Sequence, residues 1–123
     1  MISKVKTKDQ RINADVRKLK KIFRNLDKDT WQIVDGVIKR AAFMKIFLED
    51  LETDLNANGY TELFTQSSGL KPYERKRPAA EIYNSTIKNF LATCKQLHDL
   101  LPETDSIKAD EFDEFVNVRK FLA

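Results

Sequence analysis

Two prolines frame the stretch that most restricts how this chain can fold. Pro78 suits the first turn of a helix, where its missing amide hydrogen is no loss, and Pro102 cannot continue one. Between them, apolar residues recur at steps of three and four, which places them on one side of an α-helix. These residues are Ala80, Tyr83, Ile87, Phe90, Leu91, Cys94, Leu97 and Leu101. The sequence therefore predicts a helix from Pro78 to Leu101 with one buried side.

Two more helices are predicted before it. From Asp9, a candidate N-cap, an apolar stripe at steps of three and four indicates a first helix that extends through Leu26. A second helix, capped by Asp29 or Thr30, is predicted to run up to Gly59, because glycine favours the conformation that follows a last helical turn. Only three glycines and three prolines occur in 123 residues, so few turns and long helices are expected.

The predicted fold class is all-α, a long antiparallel helical hairpin with a basic N-terminal helix and a short acidic C-terminal helix. The predicted parts are a basic arm and first helix (1–28), the hairpin (29–102) with a basic loop (60–77), and the acidic helix (103–123). The second helix is apolar on more than one side, and a short chain of long helices leaves such stripes half covered, so an oligomer is expected. The predicted oligomer contacts are Trp31, Val34, Ile38, Leu48, Leu51, Tyr83, Ile87 and Leu91.

Charge is distributed unevenly along the chain. Residues 1–28 hold ten basic and three acidic side chains, whereas residues 103–123 hold six acidic and three basic ones. On the first helix, cations at steps of three and four form one ridge, with Lys20 beside it, and such a ridge suits contact with DNA phosphates. The open alternative is a solvated lysine-rich face, or one that pairs with the acidic stretch of a neighbouring subunit. The ridge consists of Arg17, Lys21, Arg24 and Lys28.

The loop at 60–77 carries a second basic cluster. Its first residues, up to Phe64, suit a short extended segment, and TQSSGLKP is typical of a turn. An aromatic residue, Tyr73, lies among the cations, so the cluster is a candidate nucleic-acid contact in which a ring stacks or packs. The alternative is an ordinary solvated loop whose tyrosine packs on the helices. The cations are Lys71, Arg75, Lys76 and Arg77.

The acidic C-terminal stretch is predicted to form a last short helix, capped by Asp105 or Ser106. Its apolar residues include Phe112, Phe115 and Val116, which alternate with carboxylates in the run DEFDE. An amphipathic acidic helix of this kind suits two roles that the residues do not separate. It either closes the core of a neighbouring subunit or docks into the groove of a partner.

No pattern in the sequence supports catalysis, a metal or a cofactor. Cys94 and His98 share a helix face, but the cysteine falls on the apolar stripe, which indicates a buried thiol and not a nucleophile. The second helix also carries a cluster of carboxylates, which is expected to form a solvated or intersubunit face. They are Glu49, Asp50, Glu52 and Asp54. No stretch reaches the length of a membrane span, and one cysteine excludes an internal disulfide, so a cytoplasmic protein is expected.

Three segments of residues 26–102 also resemble a known family. They are DGVIKRAAFMKIFLEDL in the second helix, RPAAEIYNSTIKNF after the basic loop, and QLHDLLP at the end of the third helix. In this order they resemble the small terminase subunits of tailed bacteriophages, in the P27-like family. The resemblance implies a non-catalytic adaptor that forms a ring, binds double-stranded viral DNA and presents it to the large ATPase and nuclease subunit for packaging.

That resemblance sets further expectations for this chain. The partners it implies are DNA, the large terminase subunit or the portal, and other copies of the chain, in the cytoplasm of a host cell during virion assembly. Only one helix fits before Asp29, so the helix pair of a helix-turn-helix is not predicted, and the expected recognition is of DNA backbone or shape. The alternative function is a helical scaffold or regulatory protein-interaction module that does not bind DNA.

Overall fold

The protein is mostly helical, with one small sheet. A computed structural model describes residues 5–102 and 105–117. The elements in chain order are α1 (Lys8–Ile22), α2 (Lys28–Asn58), β1 (Thr61–Phe64), β2 (Tyr73–Lys76), α3 (Pro78–His98) and α4 (Ser106–Asn117). The helices that the sequence predicts are therefore present. In the predicted basic loop at 60–77, the extended segment up to Phe64 and the turn after it are confirmed, but the second strand was not predicted: β1 and β2 pair there as an antiparallel β-hairpin.

Helix α1 is shorter at its end than its periodicity predicts. Its N-cap is Thr7 and not Asp9: the Thr7 hydroxyl accepts from the Gln10 amide at 3.1 Å, and the Gln10 side chain accepts from the Thr7 amide at 2.9 Å. The helix ends at Ile22. Leu26, which was predicted to be the last apolar residue of this helix, therefore lies in the turn between α1 and α2.

Helix α2 begins at a cap that the sequence analysis missed. Asp27, and not Asp29 or Thr30, is the N-cap, and its carboxylate accepts from the Thr30 amide at 2.9 Å and from the Thr30 hydroxyl at 2.8 Å. These bonds stabilise the charged carboxylate and lower the pKa of Asp27 below its ordinary value. The predicted end is confirmed, because Gly59 follows the last turn with a φ of 82°.

Helix α3 begins at Pro78, as predicted, but ends at His98 and not at Leu101. The amides of Leu100 and Leu101 each donate to the carbonyl three residues back, so the chain tightens after the helix before it reaches Pro102. Proline disfavours the helical conformation of the residue before it, here Leu101, so the helix is not expected to include Leu101.

The three longer helices pack side by side in alternating directions. Arg11 near the start of α1 contacts Asp50, and Lys20 near its end contacts Asp35, so α1 and α2 run antiparallel. Helix α3 returns along α2, and α4 packs on α1 and α3. The core between them is formed by Leu19, Ile22, Phe23, Val34, Ile38, Ala41, Leu48, Phe90, Cys94, Leu97, Phe112 and Phe115.

This core corrects part of the predicted oligomer contacts. Val34, Ile38 and Leu48 are buried inside one chain, because α1 and α3 cover the stripe that the sequence analysis left half open. Trp31, Tyr83, Ile87 and Leu51 are half-buried, the first three packed on this core. Leu91 is exposed. Oligomerisation itself stays a prediction.

The acidic helix α4 closes the core of its own chain. Asp105 precedes it and accepts from the Lys108 amide at 3.1 Å, which confirms the predicted cap. Phe112 meets Phe23 edge to face with ring centroids 5.7 Å apart, and Phe115 lies 6.4 Å from Phe90. Val116 packs beside them. The assignment of these three α4 residues to a neighbour or partner is therefore wrong, because α1 and α3 supply the apolar surface that α4 needs.

Candidate nucleic-acid interface

The basic residues near the N-terminus form a surface of cations on α1, on the turn after it and at the first residue of α2. We define the α1 cation surface as Arg17, Lys18, Lys21, Arg24 and Lys28, all of which are exposed. None of the five makes an ion pair or hydrogen bond through its side chain with any residue that the structure describes. Fixed positive charge without an internal partner is available to an external anion.

The predicted single ridge of cations is only partly correct. Arg17 and Lys21 lie one turn apart on α1, as expected. Arg24 lies in the turn and Lys28 is the first residue of α2, because α1 ends at Ile22. The positive charge therefore continues around the end of α1 and does not follow one helix.

Lys20 is a weaker candidate than the sequence analysis supposed. Its ammonium lies 3.3 Å from the Asp35 carboxylate, which also forms an ion pair with Lys39 at 3.0 Å. Hydrogen bonds from the two lysines, of which Lys39 has the larger effect, lower the pKa of Asp35. Lys18, which the sequence analysis left out, replaces Lys20 as a free cation. Its spacing of three residues from Lys21 is the signal that identifies it.

A cleft of about 230 Å³ separates α1 from α4 beside this surface. Lys18 and Lys21 line it from α1, and Glu111 and Glu114 line it from α4. The acidic helix thus faces two members of the α1 cation surface within one chain. This arrangement differs from the predicted alternative, in which a neighbouring subunit supplied the acidic stretch.

In the β-hairpin formed by β1 and β2, Arg75 is occupied by contacts within the chain. In the register of β1 and β2, Glu62 is opposite Arg75 and Phe64 is opposite Tyr73. Arg75 donates to the Glu62 carboxylate at 2.8 Å, and its guanidinium carbon lies 3.6 Å from the centroid of the Phe64 ring. A guanidinium held by an ion pair and a ring is already occupied, so it is a poor candidate for a phosphate contact.

The other two cations at the end of the hairpin also have partners. Arg77 donates to both carboxylate oxygens of Asp54 at 3.0 Å and to the Gly59 carbonyl at 2.7 Å. Lys76 lies 3.0 Å from the Glu81 carboxylate. Of the four cations predicted here, only Lys71 makes no side-chain ion pair or hydrogen bond with the residues that the structure describes. The basic cluster therefore mainly anchors the hairpin to the helices.

Asp54 gives this anchor a dependence on pH. Hydrogen bonds from Asn58 and then Arg77 lower the pKa of Asp54 below its ordinary value of 3.8. Because the pKa is lower in the folded state, the stabilisation is present above pH 3.8 and is lost as pH falls through the folded value. Carboxyl titration by NMR is expected to show this low pKa, and Asn58→Ala or Arg77→Met is expected to raise it. An unchanged pKa in both variants would contradict the assignment.

Apolar side chains are exposed on both faces of the β-hairpin, because the register places Leu63 with Glu74 on one face and Phe64 with Tyr73 on the other. Leu63 is 77% exposed, and Tyr60, Leu70 and Tyr73 are also exposed, although the Tyr73 ring meets Phe64 edge to face at 5.9 Å. A two-stranded sheet is marginal in water by itself. These exposed apolar side chains make the β-hairpin a second candidate interface, and their chemistry suits protein more than phosphate.

The acidic run of α2 is largely occupied by contacts within the chain. Arg11 pairs with Glu49 at 3.2 Å and with Asp50 at 2.7 Å, and the Tyr83 hydroxyl donates to Glu52 at 2.9 Å. The prediction of a solvated or intersubunit acidic face is wrong for Glu49, which is buried, whereas Asp50 is exposed and Glu52 half-buried although both have partners within the chain. No group of metal-ligating residues is placed to hold an ion in the part of the chain that the structure describes.

The thiol of Cys94 is buried, as its place on the apolar stripe predicts. Burial raises the pKa of Cys94 to about 12, and the nearby Lys45 offsets part of that rise. A thiol with this pKa stays protonated near pH 7, which is the opposite of what a cysteine nucleophile needs.

Comparisons with family models, with curated proteins and with solved structures find no match to this chain. No helix within residues 5–102 and 105–117 is both long and apolar enough to cross a membrane.

Proposed function

We propose that this chain is a non-catalytic adaptor that binds double-stranded DNA, of the kind found in small terminase subunits, and presents the DNA to a large ATPase and nuclease subunit. The α1 cation surface is the observation that carries the proposal. Its five cations have no counterions among the described residues, whereas Arg11, Lys20, Arg75 and Arg77 are each paired with a carboxylate.

Unpaired cations of this kind suit the DNA backbone. Each phosphate that a lysine or arginine neutralises releases a condensed counterion, so binding is strong at low salt and weakens as salt rises. Such contacts position a protein on DNA without reading its bases. In the described residues α1 is the only helix before Lys28, so a helix-turn-helix reader is not part of the proposal.

The proposal includes a ring of identical subunits in which each copy adds its cations. Several copies raise the effective concentration of weak phosphate contacts. Apolar side chains remain exposed on the helices, notably Ile33, Phe43 and Leu91, and they supply surface for a second copy. Light scattering on a sizing column measures the native mass, and a mass of many subunits is expected; a monomer would remove the ring from the proposal.

Charge reversal on α1 tests the DNA-binding surface. The double variant Arg17→Glu/Lys21→Glu is expected to weaken binding to a short DNA duplex by about tenfold or more at low salt. Loss of two phosphate contacts should also reduce the slope of log affinity against log salt by about 2. Fluorescence anisotropy at several salt concentrations measures both effects for DNA of unrelated sequences, and the loss should be similar for each sequence because the backbone is the target.

The matched control is Lys88→Glu/Lys95→Glu on α3. These two lysines are exposed and lack ion pairs among the described residues, and their reversal changes the net charge by the same amount. The control is expected to lose much less affinity and to keep its salt slope. Equal losses in the two variants would show that overall charge, and not the α1 cation surface, determines binding.

A second candidate function is supported by the hairpin. Its exposed apolar residues suit a helical scaffold or regulatory module that binds protein and not DNA. The same anisotropy titration separates the two functions. Absence of binding by the unmodified chain at low salt would favour the scaffold.

A further inference from the structure

The cleft between α1 and α4 brings opposite charges close without pairing them. Lys18 and Lys21 form one wall, and Glu111 and Glu114 form the other. All four side chains are exposed, and none makes an ion pair with a described residue. Two carboxylates therefore lie across an open gap from two cations of the α1 cation surface. The glutamates reduce the positive potential that an external anion meets there.

The position of these carboxylates is determined by the packing of α4 and not by their own charge. Phe112 and Phe115 anchor the helix in the core, where both are buried. The buried ammonium of Lys45 donates to the Phe115 carbonyl in the last turn of α4 and lies 4.3 Å from the centroid of the Phe115 ring. A cation at the C-terminal end of a helix stabilises it there. The acidic face of α4 is thus held beside α1 by the contacts of Phe112, Phe115 and Lys45, of which Phe115 and Lys45 also line the cleft.

Only some of the carboxylates of α4 line the cleft. Asp110 and Asp113 are on the same helix and are exposed, but they do not line the cleft. Helix α4 therefore carries two pairs of carboxylates that differ in position and not in charge. This difference allows a local effect on α1 to be separated from the effect of net charge.

We propose that Lys18 and Lys21 form a latent phosphate site that Glu111 and Glu114 of α4 screen, so that the acidic helix weakens the binding of DNA to its own chain. The inference rests on the proposed function, because it concerns the same cation surface. The ligand is the phosphate backbone of a duplex. Helix α4 thereby acts as an internal electrostatic competitor, which limits retention of DNA at low salt.

The test compares two neutralising variants of α4. Glu111→Gln/Glu114→Gln removes the carboxylates at the cleft, and Asp110→Asn/Asp113→Asn removes the same charge elsewhere on the helix. The first is expected to bind a short DNA duplex about three- to tenfold more tightly than the unmodified chain at low salt. The second is expected to change affinity much less. The difference should shrink as salt rises towards 0.1 M, where the screening length is about 10 Å.

A third variant ties the gain to the lysines. Adding Lys18→Gln/Lys21→Gln to Glu111→Gln/Glu114→Gln is expected to abolish the increase in affinity. Thermal melting checks that each variant is folded, and all of the substitutions are at exposed positions. Equal gains in the two acidic variants, or a gain that survives loss of the lysines, would overturn the screening. Failure of every variant and of the unmodified chain to bind DNA would overturn the proposed function itself.

Discussion

Replacing Phe112 by alanine is expected to lower the free energy of unfolding by about 3–5 kcal/mol, the usual cost of deleting a buried phenylalanine ring. The Phe112 side chain is 1% exposed. Its ring packs against Phe23, the residue that follows α1, and lies 6.0 Å from that of Phe115. The alanine variant would leave a cavity where α4 meets the other helices, and the loss of this ring would remove an anchor of the whole helix.

Urea denaturation followed by circular dichroism measures this loss. The matched control is Ile107→Ala, an apolar truncation on the same helix at a residue that is 71% exposed. A surface substitution of this kind is expected to change stability by about 0.5 kcal/mol or less. If the two variants unfold at the same urea concentration, α4 does not close the core of this chain.

Helix α4 shows where the sequence is informative and where it is not. Its start at the Asp105 cap and its amphipathic character follow from local residues, and both are confirmed. The surface that it covers is supplied by Phe23 and Phe90, which are far away in the chain. Periodicity identifies which side of a helix is apolar but not which element covers it, so the prediction of a neighbour or partner for α4 was wrong.

The prediction of a nucleic-acid contact by the basic residues 71–77 overlooked their partners for a related reason. A count of charges finds the cations of residues 71–77 but not their partners, since Asp54 belongs to α2 and Glu81 to α3. The N-cap of α2 was predicted wrongly because more than one residue near its start can serve as a cap. Asp27 and Asp29 both precede the apolar stripe of α2, and only the hydrogen bonds to Thr30 identify Asp27 as the cap. The exposure of Arg17 and Lys21 was predictable, because both lie away from the apolar stripe of the same helix.

Replacing Arg11 by methionine is expected to destabilise the protein by about 2 kcal/mol, less than breaking a fully buried ion pair, because Glu49 is buried but the Arg11 side chain is 29% exposed. The Glu49 side chain is 4% exposed, and one of its oxygens accepts from Arg11 at 3.2 Å. The other oxygen is buried without a hydrogen bond to any described residue. Removing Arg11 would therefore leave a buried carboxylate without its guanidinium, which costs more than the pair contributes when intact.

Three further variants make this expectation specific: Lys39→Met, Glu49→Gln, and the double variant Arg11→Met/Glu49→Gln. Lys39→Met removes a cation from an ion pair with Asp35, but Lys39 is 57% exposed there, so a change of about 0.5 kcal/mol or less is expected. Adding Glu49→Gln to Arg11→Met should recover part of the lost stability, because a neutral amide is less costly to bury than a carboxylate. Urea denaturation of the four members of this double-mutant cycle gives the coupling energy between Arg11 and Glu49. A coupling near zero would mean that Glu49 is stabilised by groups other than Arg11.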